Sequence, residues 1–337
     1  MNNRYLRQQQ VPQLGAESSA MLASAKVLVV GVGGLGAPVS SYLVGAGVGS
    51  ITLLDHDVVE LSNLHRQTLF KESDVGGSKA LVAQERLLEL NQSIEINGLN
   101  QSLSVDNARE LISSHTVIVD AADNLFVSYL LSDLCFEYRI PLVAASVLQT
   151  SGYVGVFCGT KEHPAPSMRA IFPSPPRQAK SCSTSGVTGP SVGIVGSLQA
   201  QEVLKVIVND KSQLLGKLLY VDCWHHSQNK VDFSDAQEPG RFATLISSNS
   251  ITGDDQVLDV RTEQEIVQNP NALVTVKIPL QRLDHNHQLL AEELFDKLHK
   301  DRRIVCVCQT GQRAIVGAKV LMNAGFSNVA VAQSFID

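Results

Sequence analysis

The segment VLVVGVGGLGAPVSSYLVGAGVGSITLLDHD, Val27 to Asp57, carries no charged residue before Asp55. Its first four residues read as a buried strand, and Gly31, Gly33, Gly34 and Gly36 follow as G-x-G-G-x-G. APVSSYLVGAG then continues as a helix, and SITLLDHD is a second buried strand. A glycine loop between strand and helix lets backbone N–H groups and the helix N-terminus face an anionic phosphate. Asp55 ends the next strand, where a carboxylate can accept ribose hydroxyls. Taken alone, the pattern is a dinucleotide fingerprint that suits NAD or FAD. A tight turn that holds no ligand is the structural alternative.

Outward from this unit the alternation continues. SKALVAQERLLELN has helical spacing, EINGLNQSL and TVIVDAADN read as strands, and PLVAASVLQTSGYVGVF supplies further strand material. Strands alternating with helices predict an α/β fold, a Rossmann-like, mostly parallel sheet covered on both faces. Lys161 to Pro190 shifts to Pro and Ser and reads as a long loop, after which VGIVGSLQAQEVLKVIV restores a strong helix. A second, smaller α/β pattern follows: QVLDVRT, a helix around ELFDKLHK, RIVCVC, and a helix through QRAIVGAKVLMNAG. The expected organisation is a nucleotide-binding domain over 1–235, a linker over 236–250 and a small domain over 251–337.

The 337 residues suit two domains, and 44% apolar content supports sizeable cores. A net charge of −6 argues against a nucleic-acid partner, which needs a basic face. Gly, Pro and Ser interrupt the uncharged run, which argues against a membrane span. The first residues, MNNRYLRQQQVPQLG, lack the apolar core of a signal peptide. Six scattered cysteines fit a reducing, cytoplasmic compartment. Cys223 reads as structural, and the adjacent His225 and His226 would point apart in a strand.

Beyond Asp55, LSNLHRQTL supplies Ser62, Asn63, Arg66 and Gln67, GGSKA supplies Lys79, and DAADN places Asp123 and Asn124 at another strand end. A dinucleotide carries two phosphates; two extra cations and a carboxylate are the parts a triphosphate with Mg²⁺ needs. These motifs, with R-Y-x-R-Q at Arg4 to Gln8 and CSTSGVTGPSVGIVGSLQAQEVLK from Cys182, resemble the MoeB/ThiF family of ubiquitin-activating-type adenylating enzymes. The resemblance implies ATP, with Asp55 at the ribose, Asn63, Arg66 and Lys79 at the phosphates and Asp123 at magnesium. It implies a homodimer in which Arg7 reaches the other subunit's site, and Cys182 as a candidate for covalent linkage. It also implies adenylation of the C-terminal glycine of a small ubiquitin-like sulfur carrier, MoaD-like in molybdopterin synthesis or ThiS-like in thiamine synthesis. Many relatives hold a structural zinc through two C-x-x-C pairs. Here PSMRAIFP puts Ser167 and Ala170 at the first pair, so no structural zinc is expected.

In VCVCQTGQRA, Cys308 opens a loop that Arg313 closes after four intervening residues. Loop N–H groups at a helix N-terminus favour a thiolate. Cysteine phosphatases need five intervening residues to wrap a phosphate, and the tighter ring suits a persulfide. With LDVRTEQE at Leu258 to Glu265, the segment resembles a rhodanese domain. That resemblance implies sulfur transfer from Cys308, with a cysteine desulfurase as donor. The match is incomplete, since NPNALVTVKIPL replaces G-H-I-x-G-A before the IPL and no closing Gly-Gly-Ile turn follows. The domain is therefore expected to be short.

Overall fold

A computed structural model describes residues 3–173, 186–284 and 297–333. After two N-terminal helices, α1 (Leu6–Gln9) and α2 (Gly15–Ser24), the chain alternates as the sequence predicts. The run is β1 (Lys26–Val30), α3 (Gly36–Ala46), β2 (Ser50–Leu54), α4 (Lys79–Leu90), β3 (Glu95–Leu99), α5 (Val105–Ser113), β4 (Val117–Asp120), α6 (Leu125–Tyr138) and β5 (Leu142–Leu148). These five strands are parallel, in the order β3-β2-β1-β4-β5. The order reverses between β1 and β4, which opens a crevice at the carboxyl ends of those strands.

The sheet then turns antiparallel through β6 (Ser151–Phe157), β7 (Lys217–Asp222) and β8 (Ser227–Asp232). Between β6 and β7 lie the short α7 (Met168–Ile171) and the long α8 (Gly189–Ile207), with Pro190 in the first turn of α8. His225 and His226 sit in the β7–β8 turn and not in a strand. His226 takes φ +55°, and His225 Nδ1 lies 2.9 Å from Asp222 Oδ2.

A five-stranded, wholly parallel sheet makes the second unit. It consists of β9 (Thr244–Ile246), β10 (Gln256–Asp259), β11 (Val276–Lys277), β12 (Ile304–Val307) and β13 (Val329–Ala332), in the order β11-β10-β12-β13-β9. Among the described residues its helices are α9 (Glu263–Gln268), α10 (Leu280–Asp284) and α11 (Gln312–Asn323), and most of the helix expected around ELFDKLHK lies outside them. The stretch expected as a linker, 236–250, is mostly exposed, with Ala243 and Ile246 buried. It contains β9, Phe242 lies over the Arg169 guanidinium, and Glu238 accepts from both the N–H and the hydroxyl of Ser167 at 2.6 Å.

Strand alternation divides the core. Val27, Val29, Ile51 and Leu53 face α3, α4 and α8, whereas Leu28, Val30 and Ile118 face α5 and α6. The second cluster does not stop at the first unit: it runs through Phe126 and Leu130 into Leu258, Cys306, Ala314 and Leu321. The two sheets therefore share one continuous apolar interior. No helix among the described residues is long and apolar enough to cross a membrane.

Candidate active site

The glycine loop is shaped by close backbone approach. Gly31 takes φ +89°, and a Cβ there would fall 2.7 Å from the Ala121 carbonyl oxygen. A Cβ on Gly36 would lie 1.9 Å from the Gly31 carbonyl oxygen, so only glycine closes the turn onto α3. Asp55, nearly buried at the end of β2, accepts from Val32 N–H at 2.7 Å and Asp57 N–H at 2.8 Å. It thus pins the loop as well as facing the crevice. Burial pushes its pKa above the ordinary carboxylate value, against those two amides.

Around this loop lies a crevice of about 680 Å³. Gly31, Gly33, Gly34, Asp55, Asn63, Arg66, Gln67, Lys79, Asp123 and Asn124 all line it. Gly36 and Ser62 stand outside the lining: Gly36 is buried beneath the loop, and Ser62 is exposed and donates to Glu60 Oε2 at 3.1 Å. Arg7 is exposed on α1 and does not line the crevice. Cys182 lies outside the described residues.

Lys79 begins α4 with its side chain buried, and its Nζ donates to Asp57 Oδ2 at 2.9 Å. Arg66 is half-buried, with Nη1 3.4 Å from the Ser62 carbonyl. Gln67 is 3% exposed and its Oε1 has no hydrogen-bond partner. A buried, unsatisfied acceptor in a crevice wall is a group suited to a ligand donor. Asp123 is exposed just beyond β4. Below it Asp120 is buried, and that burial pushes its pKa up to about 6. Asn124 caps α6, its Oδ1 accepting from Phe126 N–H at 2.9 Å. Among the described residues, the one group of three potential metal ligands is Asp55, His56 and Asp57.

Cys308 follows β12, is fully buried, and opens the loop that Gly311, at φ +79°, turns into α11. Arg313 grips Glu265 through two bonds, Nη1 to Oε2 at 2.8 Å and Nη2 to Oε1 at 2.6 Å, with Cys308 as a lesser partner. The Arg313 guanidinium holds the Glu265 carboxyl down to about 2. Asp259 and Arg261 of the Asp-Val-Arg stretch form a wholly buried ion pair at 2.7 Å. The loop does not stand apart from the crevice, because Gln309, Thr310 and Gln333 of the second unit line it too.

A family model described as the ThiF family matches residues 5–240, most of the chain. The chain belongs to the ThiF family. In this ThiF-family chain a rhodanese-like domain model matches residues 241–334. An adenylyltransferase and sulfurtransferase MOCS3 from Culex quinquefasciatus is 43% identical over 221 residues, covering 65% of this chain and 50% of that protein. The chain thus spans about half the length of such relatives. The Xenopus laevis protein of that name is 32% identical over 371 residues, covering 95% of this chain and 81% of its own. A sulfur carrier protein adenylyltransferase from Thermus thermophilus is 42% identical over 237 residues, covering 68% of this chain and 86% of that one. Among solved structures, E. coli MccB with ATP matches at TM-score 0.60 and 23% identity, covering 71% of this chain and 74% of that chain, which shows the shared fold.

Sequence reasoning missed Asp57, the Gln101–Leu103 wall, Glu265 and the second unit's contribution to the crevice. Asp57 had a signal in its nearness to Asp55. The other contacts join residues far apart in the chain, and no local spacing announces them.

Proposed function

We propose that the crevice binds ATP with Mg²⁺ and adenylates the C-terminal glycine of a small ubiquitin-like sulfur carrier. The carrier carboxylate attacks the α-phosphorus, forming an acyl–O–P bond as pyrophosphate leaves. Arg66 and Lys79 offset charge on the phosphates, and the loop amides and Asp55 orient the nucleotide. Asp123, an exposed carboxylate at the crevice edge, fits the metal, which supplies neutralisation of the triphosphate. The observation that carries this reading is the convergence of the glycine loop, Asp55, Arg66, Lys79 and Asp123 on one crevice that the Cys308 loop also borders.

Cys308, carrying a persulfide, then attacks the acyl carbon through its terminal sulfur, and AMP leaves. A thiol reductant cleaves the resulting acyl disulfide and releases the carrier thiocarboxylate. The relatives named adenylyltransferase and sulfurtransferase support the pairing of both steps in one chain. A MoaD-like carrier in molybdopterin synthesis is the favoured substrate, with a ThiS-like carrier in thiamine synthesis as the alternative. The reading places the protein in the cytoplasm as a homodimer, with Arg7 at the neighbouring site and a cysteine desulfurase loading Cys308. The reading includes no structural zinc, because Ser167 and Ala170 stand where the thiols of the first C-x-x-C pair would be.

The test is ATP–pyrophosphate exchange with each carrier offered separately. Carrier-dependent exchange is the expected result and identifies the carrier. Tight ATP binding without exchange on either carrier would point instead to a scaffold that docks a carrier without activating it.

A further inference from the structure

The glycine-loop motif does not supply every wall of the crevice. Two helix N-termini of the first unit stand at its mouth, α5 beyond β3 and α6 beyond β4, and the second unit bonds to both. At α5, the Gln333 side chain acts as a paired amide. Its Nε2 donates to the Leu103 carbonyl and its Oε1 accepts from Val105 N–H at 3.1 Å. Ser247 Oγ adds a bond to Asp106 Oδ2 at 2.9 Å. At α6, Asn124 Nδ2 reaches the Thr310 carbonyl at 3.5 Å. The Phe126 ring lies so close to Gly311 that a Cβ there would fall 2.5 Å from it. Between these anchors Gln309, Thr310 and Gln333 face the crevice, and Cys308 is fully buried immediately behind Gln309.

We propose that the second unit is a working wall of the nucleotide site, with Gln333 as the positioning residue that holds the Gln101–Leu103 stretch for an adenine nucleotide. Nucleotide binding and exposure of Cys308 then oppose each other. This rests on the reading of the crevice as an ATP site. A nucleotide that touches the second unit gains contacts only while that unit is docked, so it binds the docked arrangement more tightly. Docking keeps the Cys308 loop against Phe126, and linkage makes the effect reciprocal: opening the loop weakens the nucleotide by the same factor. The consequence is an order of events. An external donor loads sulfur onto Cys308 in the nucleotide-free protein, and nucleotide binding then shields it.

The experiment uses the full chain and measures alkylation of Cys308 by iodoacetamide, site by site from peptide masses, with and without a non-hydrolysable ATP analogue and Mg²⁺. Calorimetry gives the analogue's affinity for the wild type, Gln333→Ala and Gln333→Glu, and thermal melting checks that the variants fold. Saturating analogue is expected to slow Cys308 alkylation roughly fivefold or more, the scale of ordinary coupling. Both variants are expected to bind the analogue several-fold more weakly and to lose most of that protection. Alkylation unchanged by an analogue that calorimetry shows to be bound overturns the inference whatever the variants do. Failure of the wild type to bind ATP at all overturns the nucleotide reading first, and this inference with it.

Discussion

Asp123 and Cys308 divide the proposed chemistry at the scale of single residues. Asp123→Ala is expected to lower carrier-dependent pyrophosphate exchange by about 100-fold, the usual cost of removing one group that stabilises transition-state charge. Cys308→Ala should instead abolish thiocarboxylate formation while exchange continues, which separates the two steps in one pair of assays. Glu265 sets a third expectation. The Arg313 guanidinium beside it holds its carboxyl ionised, down to about 2 from an ordinary 4.5. A depressed carboxylate contributes stability that is fully present above its unfolded value and is lost as pH falls through the folded one. Acid unfolding of wild type between about pH 4.5 and 2 should therefore be steeper than that of Glu265→Gln, measured by circular dichroism. Equal acid profiles would show that the pair contributes nothing.

The α6 N-terminus is the element on which the site turns. Asn124 caps it, Asp123 precedes it, and Phe126, fully buried in its first turn, seats the Gly311 turn of the second unit. Phe126→Ala should cost about 3–5 kcal/mol by leaving a cavity in the shared interior, read as a lowered denaturation midpoint. Elements governed by short-range rules were legible in the sequence. The glycine turn, the strand ends bearing Asp55 and Asp123, and the Cys308-to-Arg313 loop all follow from local backbone and helix-end chemistry. Gly36 and Ser62 show the limit of that reading. Both belong to the motif, yet neither lines the crevice: Gly36 is buried, and Ser62 is exposed and donates to the Glu60 carboxylate. The Gln333 clamp was illegible because it joins residues 230 positions apart through an amide that no local pattern marks. The contacts of Glu238 with Ser167 and of Phe242 with Arg169 were illegible for a similar reason, since a polar stretch gives no sign of them.

For the molecule as a whole, the continuous interior matters more than the presence of two sheets. Because Phe126 and Leu130 share a cluster with Leu258, Ala314 and Leu321, the units should unfold together. Differential scanning calorimetry is expected to show one transition, and two well-separated transitions would show that the interface adds little. The same continuity puts the Cys308 loop and the glycine loop on one crevice, which is the arrangement that a coupled adenylation and sulfur transfer requires. The most direct measurement is mass spectrometry of the carrier C-terminus after incubation with ATP, Mg²⁺ and the protein persulfidated on Cys308, followed by a thiol reductant. Conversion of the C-terminal carboxylate to a thiocarboxylate, dependent on ATP and on both Asp123 and Cys308, is the predicted result. A carrier that is adenylated yet never acquires sulfur from Cys308 would contradict the coupling of the two units in one reaction.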